Sequence, residues 1–456
     1  MVVILGAGLA GLSAAHHLAE ADCVVLEREA HVGGLCRSFR EQGFTFDHTG
    51  HLMHLRDPEV RAWVEQLLPD GWAQLQRSAW IHSHGALTPY PFQANTAGLP
   101  LEVRLECLMG FVESLATRSE RAPTVPDAQV VDPRWPFLKV APPPAADEPT
   151  FHDWILRTFG AGFARHFFEP YNTKLWRRDL REVTGDWVSW SIPRPELGDV
   201  LRGALTVNEK PFGYNPEFLY PRAGGIDHLP RALADSLAPG VVRTNCEVVA
   251  LNASAREVQL ADGSSERGEL ILSSLPLHTL ARLTSDLPDD LRAELGALDA
   301  ISIRAINLGV RGAPTSDAQW IYVPDHAHPF HRVGLPAALT PAMAPDGHHS
   351  LVAEIAFHAS DDPGLDAHRQ ATHDSLRALD LLTSDHEVVL EHSVDIPTAY
   401  VVFDAARRRL LPRLLRFFLE HDVVPMGRYG SWDYLAMEDS LLHGREAARR
   451  ILQERS

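Results

Sequence analysis

Val2-Val3-Ile4-Leu5-Gly6-Ala7-Gly8-Leu9-Ala10-Gly11 stands near the start of the sequence and decides its fold. An apolar run feeds a Gly-x-Gly-x-x-Gly turn. A stretch of helical character follows, Leu12 to Ala19. A second apolar run, Cys23-Val24-Val25-Leu26, then ends on Glu27. Strand, glycine turn, helix, strand and acid at this spacing form a dinucleotide-binding βαβ unit. Gly6 permits the tight turn, Gly8 lets the backbone approach a pyrophosphate, and Gly11 lets the helix pack closely on the strand. The helix N-terminus presents free N–H groups to phosphate, and Glu27 can hold a ribose hydroxyl. Gly33-Gly34 and Arg37 extend the motif.

The 456 residues are enough to bury a large core and to form two or more lobes. Hydrophobic residues at 45% and charged residues at 22% place the chain among ordinary globular proteins. A net charge of −18 argues against a nucleic-acid partner, and an anionic substrate would need local arginines to hold it against that field. The four cysteines, Cys23, Cys36, Cys107 and Cys246, show no CxxC pairing, which fits a reducing compartment. The apolar N-terminus lacks a basic leader, and no apolar run is long enough to span a bilayer. The expectation is a cytoplasmic protein without integral membrane association, with oligomer formation left open. His48, His51 and His54 are spaced like a metal cluster, but they lie on a glycine-containing segment, and no metal site is expected.

Helical spacing of Val60, Trp63, Val64, Leu67 and Leu68 predicts a helix from Glu59. Trp80-Ile81-His82 and Ala86-Leu87-Thr88 predict a hairpin around His84-Gly85. Arg121 to Pro149, rich in proline and alanine, predicts an exposed loop or linker. Phe151 to Trp176 reads as helical with an apolar stripe. Strand-like runs at Val241–Leu251 and Glu269–Leu275 return to the nucleotide unit, as does Val423–Met426. Ile301–Val310, Trp320–Val323 and Leu351–Phe357 suggest a separate sheet.

Five further stretches, in order, carry a family resemblance. They are Gly50-His51 with its neighbours, Pro89-Tyr90-Pro91-Phe92-Gln93, Pro170-Tyr171-Asn172-Thr173-Lys174-Leu175-Trp176, Trp320-Ile321-Tyr322-Val323-Pro324 through Pro329-Phe330-His331-Arg332, and Gly427-Arg428-Tyr429-Gly430-Ser431-Trp432-Asp433-Tyr434. With these the chain resembles FAD-dependent proteins of the amine-oxidase and protoporphyrinogen-oxidase type. Within that group it is most similar to the UDP-galactopyranose mutases, especially the eukaryotic-type form. The resemblance implies an α/β architecture: a Rossmann-like FAD-binding domain with an inserted helical lobe and an inserted antiparallel sheet domain. On that reading the FAD-binding domain is built from residues 1–57, 206–295 and 416–456. A mostly helical substrate lobe spans 58–205, with the proline-rich insertion at 121–149, and a substrate-domain sheet spans 296–415.

The resemblance also implies an activity. Reduced FAD, through N5, attacks the anomeric carbon of a UDP-sugar and displaces UDP; the sugar then opens, recloses in the other ring size and regains UDP. NADH or NADPH would serve as reductant. Arg332 matches a family arginine on the substrate diphosphate, and Tyr400 and Tyr434 match tyrosines that hydrogen-bond it. Tyr90 and Tyr322 match further pocket tyrosines, while Gln93, Asn172 and Trp176 match residues lining the sugar or uracil. Gly50 and His51 match the loop beside the isoalloxazine, and Arg428 a residue near the flavin. Val248 matches a strand residue by the adenine. Met437 falls where the closing helix meets the flavin. Together with Gly6, Gly8, Gly11, Glu27, Gly34, Arg37 and Gly427 these complete the expected cofactor set.

One departure bears on the substrate. The family's second diphosphate arginine is replaced by Ser191, and Arg194, three residues on, is the candidate substitute. Losing one charge-assisted hydrogen bond to phosphate costs on the order of 1.5–3 kcal/mol. An acidic residue of the bacterial form is also absent, with Ala436 in its region. An FAD-dependent oxidase or desaturase acting on a small metabolite is the alternative reading, and a flavin-binding protein without catalysis is a third.

Overall fold

The computed structural model describes residues 1–18, 22–68, 71–117, 127–145, 148–188, 192–208, 210, 212 and 216–455. The opening apolar run forms strand Val2–Leu5 at the centre of a five-stranded parallel sheet. Its order is Val242–Arg243, Cys23–Leu26, Val2–Leu5, Leu270–Ser273, Val423–Pro425. A parallel sheet is covered on both faces, so its strands read as unbroken Val, Ile and Leu runs. Here the cover includes helices Leu9–Leu18 and Met437–Arg455, which pack against each other. Strands from the start, middle and end of the chain thus assemble one α/β unit.

A second sheet has seven strands, in the order Glu387–Val401, Ala300–Arg311, His348–Phe357, Arg332–Gly334, Trp320–Tyr322, Ala79–Ser83, Ala86–Pro89. The expected antiparallel sheet is in fact mixed, because Trp320–Tyr322 runs parallel to Ala79–Ser83. The hairpin around His84-Gly85 adds itself to the sheet's edge rather than staying with the helices that follow it. An edge strand leaves N–H and C=O groups unpaired, and a hairpin from elsewhere in the chain can satisfy them. Similarly, Trp72–Gln76 pairs with Glu217–Pro221.

Helices Pro58–Leu67, Leu101–Thr117, Phe151–Phe163, Glu169–Trp176 and Leu197–Leu205 supply most of the intervening chain. Phe151, Trp154, Ile155, Phe159 and Phe163 are buried, as their stripe predicts. The proline-rich segment corrects the expectation of an exposed loop. Residues 121–126 and 146–147 lie outside the described residues. In the remainder, Gln129–Val130 pairs with Lys139–Val140. Trp135 and Leu138 are buried in the main core, and Glu148 bonds to the fully buried Arg408 at 2.7 Å. Burying large apolar side chains such as these favours the ordered segment over an exposed one. Among the described residues no helix is long and apolar enough to cross a membrane.

Candidate active site

The glycine turn and its acid are tied together by the backbone. Gly6 has φ +92°, and a Cβ on Gly11 would lie 2.0 Å from the Gly6 carbonyl oxygen. Gly8 bridges to Gly33. The buried Glu27 carboxylate accepts from the Ala7 amide at 2.8 Å and the Glu29 amide at 3.0 Å. The Cys246 amide donates to the Glu27 carbonyl at 2.8 Å, two residues before Val248, which begins strand Val248–Asn252. Arg37 faces Glu29 at 3.8 Å, and its buried Nε has no hydrogen-bond partner among the described residues. Gly34 packs against Gly8, where a Cβ would lie 3.4 Å from the Gly8 Cα. A glycine cradle with a buried, unsatisfied guanidinium N–H fits the phosphates of a bound dinucleotide cofactor. Beside this turn, Gly427 seats against Ala10 in the first turn of helix Leu9–Leu18, and its amide donates to His443 Nδ1 at 3.2 Å. Met437 begins the closing helix and is buried.

The reactive end is built by strand register. Tyr322 lies opposite Arg332, and Arg332 lies opposite Glu354. Directly paired residues project from the same face of a sheet, so phenol, guanidinium and carboxylate form one row across three strands. Arg332 Nη2 donates to Glu354 Oε2 at 2.6 Å and to Oε1 at 2.8 Å, with Nε adding a third bond at 3.1 Å. Burial alone would lower the guanidinium pKa. The Glu354 charge and the surrounding tyrosines hold it well above its usual range.

Aromatic rings enclose this row. Tyr90 and Tyr322 have centroids 5.5 Å apart, and Tyr171 and Tyr322 are 5.6 Å apart. Arg77 Nη2 donates to the Tyr322 hydroxyl at 3.0 Å, and its guanidinium carbon lies 4.6 Å from the Tyr90 centroid. Burial raises the Tyr322 phenol, but Arg77 and Arg332, both hydrogen-bonded to it, pull it below its ordinary value. Tyr400 stacks on Tyr434 at 6.2 Å, and Arg428 lies 4.3 Å from the Tyr434 ring and 5.8 Å from that of Tyr400. Trp176 meets Tyr400 edge-on at 6.2 Å, and its buried indole N–H lacks a partner among the described residues.

Other expected residues take supporting positions. Gln93 Nε2 donates to the Pro193 carbonyl at 2.6 Å and so fixes the segment that carries the exposed Arg194. Ser191 lies outside the described residues. Asn172 spends its amide on the carbonyl of Phe168, the residue that precedes its helix, at 2.8 Å. His51 Nδ1 donates to the Thr49 carbonyl at 3.2 Å, and its loop lies against Trp320, 3.1 Å from a Cβ placed on Gly50.

Four side chains of this site were not among the expected ones. Tyr171 and Lys174 lay unremarked inside a quoted motif. The Lys174 ammonium is buried and donates to three carbonyls, of Val323 at 2.8 Å, Asp325 at 2.5 Å and Phe330 at 3.0 Å. It thereby holds the loop that delivers Arg332. Glu354 was signalled only as an acid inside the apolar run Leu351–Phe357, and Arg77 by nothing local.

Acid should destabilise the protein. Burial lowers His48, His51, His54, His278 and His443 each to about 4. Unfolded histidine takes its proton near about 6.5. The corresponding stability is present above the unfolded value and is lost as pH falls toward the folded one. Asp47, raised by burial to about 6, opposes this with a single proton. The urea midpoint is expected to drop between about pH 7 and pH 5; a midpoint that rises would contradict it.

Known proteins share both the sequence pattern and the shape. The pattern of the family described as flavin containing amine oxidoreductase matches residues 9–452. Protoporphyrinogen oxidase of Homo sapiens is 26% identical over 337 residues, covering 68% of this chain and 67% of that protein. A crystal structure of reduced UDP-galactopyranose mutase superposes with a TM-score of 0.89 at 26% identity, covering 99% of this chain and 95% of that one. A putative protoporphyrinogen oxidase from Exiguobacterium sp. 255-15 shares the fold, with a TM-score of 0.71 at 16% identity over 99% and 98% of the two chains. The resemblance carried by the motifs, to UDP-galactopyranose mutase within the amine-oxidase group, therefore holds across nearly the whole length. The chain belongs to the flavin containing amine oxidoreductase family.

Proposed function

We propose that this chain is a flavin-dependent nucleotide-sugar mutase, interconverting the pyranose and furanose forms of a UDP-sugar in the cytoplasm. One observation carries the reading: two guanidinium groups, Arg77 and Arg332, converge on the Tyr322 hydroxyl beneath a wall of tyrosines. A pair of planar cations around one oxygen position suits the two phosphates of a nucleotide diphosphate. Bound FAD, in its reduced form and supplied with electrons by NADH or NADPH, would provide the nucleophile toward the anomeric carbon. Its phosphates and ribose would be held by Gly6, Gly8, Gly11, Gly34, Glu27 and Arg37, and its reactive end would lie near Gly50, His51, Arg428 and Met437.

The remaining chemistry belongs to the chain. As the anomeric C–O bond breaks, the leaving diphosphate gains negative charge. Arg332 and Arg77 offset that charge, and the Tyr400 and Tyr434 hydroxyls donate to it. Burial raises the Tyr400 phenol, so it stays protonated and able to donate. His51, held near 4, stays neutral and adds no charge beside Arg428. The aromatic ring excludes water, which protects the opened sugar until UDP returns.

In this reading Arg77, rather than Arg194, replaces the family arginine that Ser191 displaces. Arg77→Ala is expected to weaken UDP binding about 10- to 100-fold, and Arg194→Ala by less than about threefold, as read by calorimetry. The reverse ranking would move the second cation to Arg194. The activity itself is tested by reducing the holoprotein with dithionite under argon and supplying UDP-galactofuranose. Chromatographic appearance of the pyranose supports the mutase. The similarity to human protoporphyrinogen oxidase motivates the second reading, an oxidase or desaturase of a small metabolite. Steady peroxide release with a porphyrinogen or amine, and no sugar conversion, would establish that instead.

A further inference from the structure

Two irregular stretches of backbone, far apart in sequence, each deliver one imidazole to the same spot. His84-Gly85 is the two-residue tip of the hairpin that joins Ala79–Ser83 to Ala86–Pro89, with φ +52° and +71°. A tip of that kind favours Asn-Gly or Asp-Gly, because both residues take positive φ. His84 stands in the asparagine position. His166 lies in the π turn Ala164–Phe168, between helices Phe151–Phe163 and Glu169–Trp176. Such turns break the regular hydrogen-bond ladder and concentrate at functional sites. Together the two irregularities bring His84 Nε2 to 3.2 Å from His166 Nδ1. Behind each ring stands an orienting group. Ser83 Oγ is 2.8 Å from His84 Nδ1, and His166 Nε2 donates to Glu106 Oε2 at 3.0 Å. Arg165 Nη1 donates to the same oxygen at 2.8 Å, and His166 and Arg165 hold the Glu106 carboxyl below its ordinary pKa.

We infer that His84 and His166 form a binding site for a borderline divalent transition-metal ion (zinc, nickel or copper) held between their facing nitrogens. Imidazole suits these ions. Two nitrogens each about 2.0–2.1 Å from one tetrahedral metal stand about 3.3 Å apart, and the gap here is 3.2 Å. The ring centroids are 5.0 Å apart with planes at 65°, so the imidazoles bend about their contact instead of lying end to end. Metal-bound histidines give their outer N–H to a carboxylate or another oxygen. His166 does so toward Glu106, which leaves Nδ1 free to ligate, and His84 with its proton on Nδ1 does so toward Ser83. Arg165 spends its charge on Glu106, and the net charge of −18 favours a cation. Among the described residues no group of three His, Cys, Asp or Glu side chains is placed to hold a metal. Water therefore fills the remaining positions, and the ion is exchangeable, unlike one in a closed four-ligand structural site. Its effect is mechanical. The hairpin that leads to Tyr90 is clipped to the segment that leads to Tyr171, and these two tyrosines flank Tyr322 at 5.5 and 5.6 Å.

The test uses the intact flavoprotein, freed of metal with a chelator and then dialysed. Calorimetric titration with zinc chloride or nickel chloride is expected to show one equivalent bound with micromolar affinity, and zinc is expected to raise the thermal midpoint. His84→Asn suits the turn and removes one ligand; it is expected to abolish that binding while the metal-free midpoint and flavin absorbance stay unchanged. His166→Gln is expected to abolish it equally. Glu106→Gln keeps both ligands and is expected to weaken affinity about 10- to 100-fold. Pulsed electron paramagnetic resonance of the protein loaded with one equivalent of copper is expected to show two imidazole nitrogens. The chain has 24 histidines, so binding that survives both histidine variants places the ion elsewhere and overturns the proposal. A wild type that binds neither zinc nor nickel at millimolar concentration also overturns it and leaves a hydrogen-bonded pair.

Discussion

Arg332→Ala is expected to lower kcat by about 100- to 1,000-fold and to destabilise the fold by about 3–5 kcal/mol. Both effects come from one geometry. The guanidinium makes three hydrogen bonds to Glu354, which is 1% exposed. Removing the cation leaves a buried carboxylate whose one remaining side-chain neighbour of opposite potential charge, among the described residues, is His331 at 3.9 Å. That uncompensated charge, rather than the lost attraction, produces the instability. Adding Glu354→Gln to the same variant should therefore restore most of the thermal midpoint, because a neutral amide tolerates the site. It should not restore UDP binding. If the double variant recovers neither, the instability has another source. If it recovers binding, Arg332 does not hold the diphosphate.

Gly11→Ala is expected to yield a colourless protein. Its Cβ would sit 2.0 Å from the Gly6 carbonyl oxygen and 3.3 Å from Ile4 Cγ2. Helix Leu9–Leu18 would have to lift off strand Val2–Leu5, which tears the glycine turn from the phosphate position. Overpacking of this kind costs about 1–3 kcal/mol or more. Gly8→Ala separates folding from binding, since a Cβ there meets nothing within 4 Å. That variant should fold with an unchanged apoprotein midpoint and still fail to retain flavin absorbance, because the methyl group occupies the approach of the pyrophosphate. A yellow Gly8→Ala protein would mean that the turn does not contact the cofactor.

The nucleotide half of the molecule was legible because its signals are local. Gly6, Gly8, Gly11 and Glu27 fall within one βαβ unit, and each answers a steric or electrostatic need that sequence spacing expresses. The helical stripe from Phe151 to Phe163 was legible for the same reason. What escaped the sequence depends on register between distant strands. Glu354 meets Arg332 only because His348–Phe357 pairs with Arg332–Gly334 in one particular alignment. Arg77 reaches Tyr322 only because Ala79–Ser83 joins the sheet beside Trp320–Tyr322, a pairing across more than 200 residues. Trp135 gave a readable signal, a tryptophan in a proline-rich stretch, but composition outweighed it in the prediction of an exposed loop.

Lys174 has a consequence for how this site can diversify. Its three acceptors are all main-chain carbonyls, on Val323, Asp325 and Phe330. The loop between the Tyr322 and Arg332 strands is gripped by its backbone, with no demand on the identity of Pro324 or Ala327, while His326 meets Thr173 Oγ1 at 3.3 Å and His328 stacks on Phe330. Recognition of this kind decouples the shape of the loop from its sequence. Pro324 and Ala327 can be exchanged while the arginine keeps its aim, so the lysine works as a fixed mount for an interchangeable tip.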